Sequence, residues 1–110
     1  MNKEIENLLE KHIQGPCLVS LQRQDIRNLL DLGSSIDFFE FNSPKELSNL
    51  SKKYLGIILL IESTEEFEIE ELVECEGLVA NNNDIAQKFL SGVYLNNDIQ
   101  ETIYRVICVS

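Results

Sequence analysis

Basic residues are scarce in this chain of 110 residues: nine lysines and arginines stand against nineteen aspartates and glutamates, a formal net charge of −10. That balance argues against direct binding to nucleic acid or anionic lipid, because neutralising phosphate takes clustered Lys and Arg. Long apolar runs are also lacking. The longest, Leu55 to Ile61, has seven residues, against the roughly 18 or more that a membrane span needs. Residues 1–15, MNKEIENLLEKHIQG, mix Glu and Lys through their apolar positions, so no secretory signal is expected. Cys17, Cys75 and Cys108 are odd in number, widely spaced and set among apolar neighbours, which suits reduced core thiols and a cytoplasmic location. The glycines stand singly at 15, 33, 56, 77 and 92, far from any Gly-rich phosphate loop. His12 is the one histidine and reads as a half-exposed residue of the first helix; with the scattered cysteines it supplies no ligand set, so neither metal nor cofactor is expected.

What is present is an ordinary globular composition, 44% apolar and 25% charged, at a length that suits one domain spanning 1–110. Apolar stretches at Cys17 to Leu21, Ile36 to Phe41, Ile57 to Ile61, Leu78 to Ala80 and Val93 to Leu95 read as five strands. The third, Ile57 to Ile61, is apolar without alternation, as a central strand buried on both faces requires. Between them the period changes to about 3.6: Ile26, Leu29 and Leu30; Leu47, Leu50 and Tyr54; Ile69, Leu72 and Val73; Ile85, Ala86, Phe89 and Leu90. Ser43-Pro44-Lys45-Glu46 and Ser63-Thr64-Glu65-Glu66 have capping-box spacing. Ile99, Ile103, Val106 and Ile107 continue at helical spacing, although the same segment would serve as a strand, and Ile5, Leu8, Leu9 and Ile13 open the chain with an amphipathic helix.

One helix followed by five strand-helix units predicts an α/β fold: a flavodoxin-like, receiver-like three-layer sandwich with a mainly parallel five-stranded sheet and an extra N-terminal helix. In that fold, reactions sit at the carboxyl ends of the strands. The order of elements resembles receiver domains of two-component signalling, which implies acids after the first strand, an aspartate ending the third and a lysine ending the fifth. The corresponding residues are Leu21-Gln22-Arg23, Ile61-Glu62-Ser63 and Leu95-Asn96-Asn97. The lysine is missing and Glu62 stands where an aspartate belongs, so no catalytic residues are assigned. A strand-end crevice around Gln22, Arg23, Asn42, Glu62 and residues 81–84 is the place an enzymatic site would occupy. Asp37 and Glu40, flanking Phe38 and Phe39, fit strand ends better than an acid-base pair.

The charge is unevenly placed. Residues 1–53 carry eight acids and seven bases, whereas residues 54–110 carry eleven acids and two bases, with no base between Lys53 and Lys88. The densest part is Glu62, Glu65, Glu66, Glu68, Glu70, Glu71, Glu74 and Glu76. Glu66, Glu70 and Glu74 are spaced to form one helical stripe, and like charges at that spacing cost a few tenths of a kcal/mol per pair. A face that accepts this cost without interleaved lysine fits a basic partner. In size, charge and lack of a catalytic motif the chain resembles small acidic bacterial immunity proteins, such as those that protect against contact-dependent growth-inhibition toxins. That resemblance implies a non-catalytic antitoxin that neutralises a basic, nuclease-type toxin by direct binding. The partner-binding residues would be Glu62, Glu65, Glu66, Glu68, Glu70, Glu71 and Glu74. The competing expectation is a regulatory or structural subunit with a degenerate receiver-like fold.

Overall fold

The computed structural model describes residues 2–50, 53–81 and 86–110. Helix α1 (Lys3–Gln14) starts where the Asn2 side chain accepts the Glu4 amide at 2.6 Å, with Glu4 and Glu6 in the first turn, where the helix dipole favours acids. Its buried residues Ile5, Leu8, Leu9 and His12 recur at helical spacing along one face. Strand β1 (Cys17–Val19) and helix α2 (Arg23–Leu30) follow; then β2 (Ile36–Phe41), a 3₁₀ helix (Pro44–Asn49), β3 (Gly56–Ser63), α3 (Ile69–Ala80), β4 (Lys88–Leu95) and β5 (Ile103–Val109).

The strands form one five-stranded sheet in the order β1-β4-β3-β5-β2. β3 and β4 run parallel, joined by the α3 crossover, while the pairs β1–β4, β3–β5 and β2–β5 are antiparallel. All eight residues of β3 are buried, as its unbroken apolar run requires. Successive side chains go to opposite faces and feed two cores. On one face Ile58, Leu60, Ile107 and Val109 pack under α1 and α2 with Leu8, Leu9, Ile26 and Leu29. On the other Ile57, Leu59, Ile61, Val106 and Cys108 pack under α3 and the 3₁₀ helix with Leu47, Tyr54, Leu72 and Val79. The five side chains Ile57 to Ile61 are each 0% exposed, and each such burial stabilises the fold by about 1.5–3 kcal/mol.

The α/β class, the count of five strands, the helices on both faces and the N-terminal helix match expectation; the segments that supply the strands do so only in part, and the sheet does not. It is mixed and mostly antiparallel, not mainly parallel as in a receiver-like sandwich, because the chain's last strand enters between β3 and β2. Three segments account for the difference. Leu78 to Ala80, expected as a strand, forms the last turn of α3. Phe89 and Leu90, expected on a helix, belong to β4 and point to opposite cores; Ile85 of that stripe lies outside the described residues. The segment from Ile99 to Ile107, favoured as a helix, supplies β5 instead, with Val106 and Ile107 buried on opposite faces. A strand buried on both sides is apolar at every position and therefore satisfies the helical template as well. The box at Ser43 opens only a 3₁₀ helix with no side-chain cap, and Ser63 ends β3 rather than capping α3, whose N-terminal boundary is Glu68.

Candidate protein-binding surface

The polar groups at the carboxyl end of β3 are engaged with one another. Glu62 is 4% exposed. It accepts from Arg105 Nη1 at 2.9 Å and from Asn96 Nδ2 at 2.8 Å, while Arg105 Nε donates to Glu40 at 3.1 Å. Burial alone would raise the Glu62 pKa, but the hydrogen bonds from Asn96 and Arg105, with the Lys11 and Arg105 charges, hold it below the usual carboxylate value. Glu62 is therefore an ionised structural carboxylate, not part of an open acidic face. On the solvent side of this cluster Glu4, Asn7, Leu8, Lys11, Phe38 and Arg105 line a pocket of about 220 Å³.

His12 lies nearby and is fully buried, not half-exposed. Neither ring nitrogen finds a hydrogen-bond partner among the described residues. Its ring centroid is 5.9 Å from that of Tyr94. Burial, only partly offset by Glu62, lowers its pKa to about 4, so the ring is neutral near neutral pH.

Other members of the expected strand-end crevice are scattered or occupied. Arg23 forms an ion pair with Glu10 across α1 and α2. Asn42 lines a separate shallow depression with Glu40, Phe41, Glu46 and Ile103. Asn81 caps the far end of α3, and residues 82–84 lie outside the described residues. The cysteines are free, and burial pushes the Cys75 and Cys108 thiols up to about 11 and about 12, so they are protonated core groups. Among the described residues no group of His, Cys, Asp or Glu could hold a metal ion, and no helix is long and apolar enough to cross a membrane.

Of the expected contact residues, those that remain open are on α3 and the turn before it. Glu65, Glu66, Glu68, Glu70, Glu71 and Glu74 are all exposed. Because α3 starts at Ile69, Glu66 stands outside the helix; the Glu70–Glu74 pair is helical, and the three do not form one stripe. Glu74 and Glu76 lie in the body of α3. Glu76 accepts from Ser91 Oγ on β4 at 2.6 Å. Glu71 and Glu74 face the other way, lining a pocket of about 400 Å³ with Pro44, Lys45, Cys75, Leu78 and Tyr104.

Sequence reasoning missed the apolar part of this surface. Ile69 is 46% and Val73 61% exposed on α3. With Ala80 they keep helical spacing along the flank that Glu76 turns toward β4, so α3 is apolar on two sides: Leu72, Cys75 and Val79 enter the core, and Ile69 and Val73 face solvent. The signal was in the sequence, since Ile69 and Val73 fit the core stripe of Leu72 less well than Cys75 and Val79 do.

No family model and no curated protein matches the sequence. Solved structures do match the fold. An FtsZ point mutant from M. jannaschii superposes with a TM-score of 0.71 at 15% identity, over 97% of this chain and 37% of that one. An empty FtsZ dimer from M. jannaschii gives 0.68 at 16% identity, over 90% and 33%. CetZ from Methanosaeta thermophila gives 0.65 at 9% identity, over 96% and 34%. The chain is thus similar in fold to about one third of the length of these proteins.

Proposed function

We propose that the chain is a non-catalytic binding protein whose α3 face engages a basic protein, and that the partner is a nuclease-type toxin held inactive by direct contact. The observation that carries this reading is the exposure of Ile69 and Val73, at 46% and 61%, among the open carboxylates Glu65, Glu66, Glu70 and Glu74. An interface needs an apolar centre as well as a charged rim, and here Glu65, Glu66, Glu70 and Glu74 supply the negative charge. A nuclease must be cationic to hold phosphate, so an anionic surface competes for the same patch. Glu62 leaves the set of contact residues because Arg105 and Asn96 occupy it.

The test is a titration of purified cationic nuclease domains with the chain, reading both binding and residual nucleic-acid cleavage. Binding should weaken steeply with salt and be lost when Glu70 and Glu74 are both changed to Lys. Affinity that survives both reversals rules out the α3 assignment. A second reading, a structural subunit, is supported by the likeness in fold to one subunit region of an FtsZ dimer. Elution of the native protein in a large assembly, rather than with one basic partner, would favour it.

A further inference from the structure

The two outer strands of the sheet are built differently. β1 has three residues, follows Pro16 and carries a register shift between Cys17 and Val19, features that blunt an edge against further pairing. β2, at the opposite edge, pairs residue for residue with β5 from Ile36 to Phe41 with no bulge, and it contains no Pro, Gly or Lys. Beyond that ladder, no backbone hydrogen bond among the described residues reaches Ile36, Phe38, Phe39, Glu40 or Phe41. In a regular strand, alternate N–H and C=O groups point away from the neighbour, so β2 offers a row of them outward. Ile36 is 38% exposed, and Phe38, Phe39 and Phe41 are only partly covered.

A net charge of −10 opposes self-association in general, and this edge carries two carboxylates, Asp37 and Glu40. Each has a partner within its own chain: Glu40 accepts from Arg105 and Asp37 from the Tyr54 hydroxyl at 3.0 Å. Strand parity keeps the two carboxylates from opposing each other directly. When two copies of one strand pair antiparallel about a two-fold axis, opposed residues share a face, so both are odd-numbered or both even. The two longest such registers centre on Phe38 or on Phe39. In the first, Asp37 opposes Phe39 and Glu40 opposes Ile36; in the second, Asp37 opposes Phe41 and Glu40 opposes Phe38. Neither sets carboxylate against carboxylate, which would destabilise the pair.

We infer that β2 is a self-pairing edge: a second copy of this chain adds its β2 antiparallel, joining two five-stranded sheets into one across a two-fold axis. The exposed apolar flank of α3 turns toward β4, away from the joined strands, and the inference does not rest on the binding proposed above.

Sedimentation velocity on the unmodified chain from micromolar to millimolar concentration, together with amide exchange, tests this. Dimer formation should appear with concentration and bring slower exchange to alternate amides of β2, with none gained at β1. The change Phe38→Glu sets a carboxylate opposite itself or opposite Glu40 in the two registers and should weaken the dimer at least about tenfold. A chain that stays monomeric throughout overturns the inference, as does a dimer whose added protection lies elsewhere. If Phe38→Glu does not fold, the exchange pattern of the unmodified chain still decides.

Discussion

Arg105 and Glu62 are diagonal neighbours across the β3–β5 ladder, and the guanidinium donates to the buried carboxylate at 2.9 Å. The side chain of Glu62 is 5% exposed and that of Arg105 17%, whereas Glu40, the second carboxylate on Arg105, is 55% exposed. The two ion pairs therefore differ in weight, since an exposed pair contributes about 0–1 kcal/mol and removing one partner of a buried pair costs about 3–5 kcal/mol. Arg105→Met should destabilise by that larger amount in urea denaturation, and Glu40→Gln by well under half of it. Combining Arg105→Met with Glu62→Leu should recover much of the loss, because the strain lies in an unpaired buried charge. Equal costs for Arg105→Met and Glu40→Gln would show that Glu62 is not the partner that matters.

His12 makes stability depend on pH in a separate window. The ring stays neutral in the folded chain down to about pH 4, whereas in the unfolded chain it takes up a proton near 6.5. The unfolded state thus binds more protons in that interval. Stability is full above pH 6.5 and falls as pH drops toward 4, by about 3 kcal/mol in total. Glu62 acts with its own sign lower down: its depressed value makes its stabilisation fade only as pH falls below the ordinary value of 4.5. His12→Leu should flatten the upper slope and leave the lower one, which equilibrium denaturation across the acid range will read.

Two glycines should respond oppositely to alanine. A Cβ on Gly77, in α3, meets nothing within 4 Å, so Gly77→Ala should raise stability by up to about 1 kcal/mol through helix propensity. A Cβ on Gly15 would strike the Tyr94 ring and come within 2.6 Å of the Lys11 carbonyl oxygen. The backbone oxygen cannot turn aside, so Gly15→Ala should cost about 1–3 kcal/mol. Thermal unfolding of the two variants should move in opposite directions.

Charge reversal on α3 should separate stability from binding. Glu70 and Glu74 are exposed, so changing both to Lys should alter stability by no more than about 0.5 kcal/mol. The same pair of changes should abolish binding to a basic partner. A large stability loss would mean that these carboxylates serve the fold.

Much of the fold is legible residue by residue. β2 is legible at its observed bounds because Ile36 to Phe41 is a short aromatic-rich apolar run, and α1 because its apolar spacing admits one template. Phe89 and Leu90 of β4 and the residues of β5 read as helix because strands that feed two cores satisfy the helical template as well. The antiparallel direction of β5 is set by its neighbours rather than by its own residues. Tyr104-Arg105-Val106-Ile107 carries no sign that it will lie antiparallel to Ile57 to Glu62. For the binding surface, the glutamates of α3 were visible as a count, but whether each is free depends on burial. Glu62 and Glu70 look alike in the sequence, and Arg105, far along the chain, separates them.

The insertion of β5 between β3 and β2 also sets a schedule. Ile36 pairs with Val109 and Phe41 with Tyr104, so β2, formed early in synthesis, has no strand to lie beside until β5 has emerged. Helices α1 and α2 and the β3-α3-β4 unit can form from local contacts meanwhile, but such long-range closure makes sheet completion the slow step. Until it occurs, the Phe-rich strand is exposed on both edges, and for that interval the growing chain is most open to sticking to its neighbours.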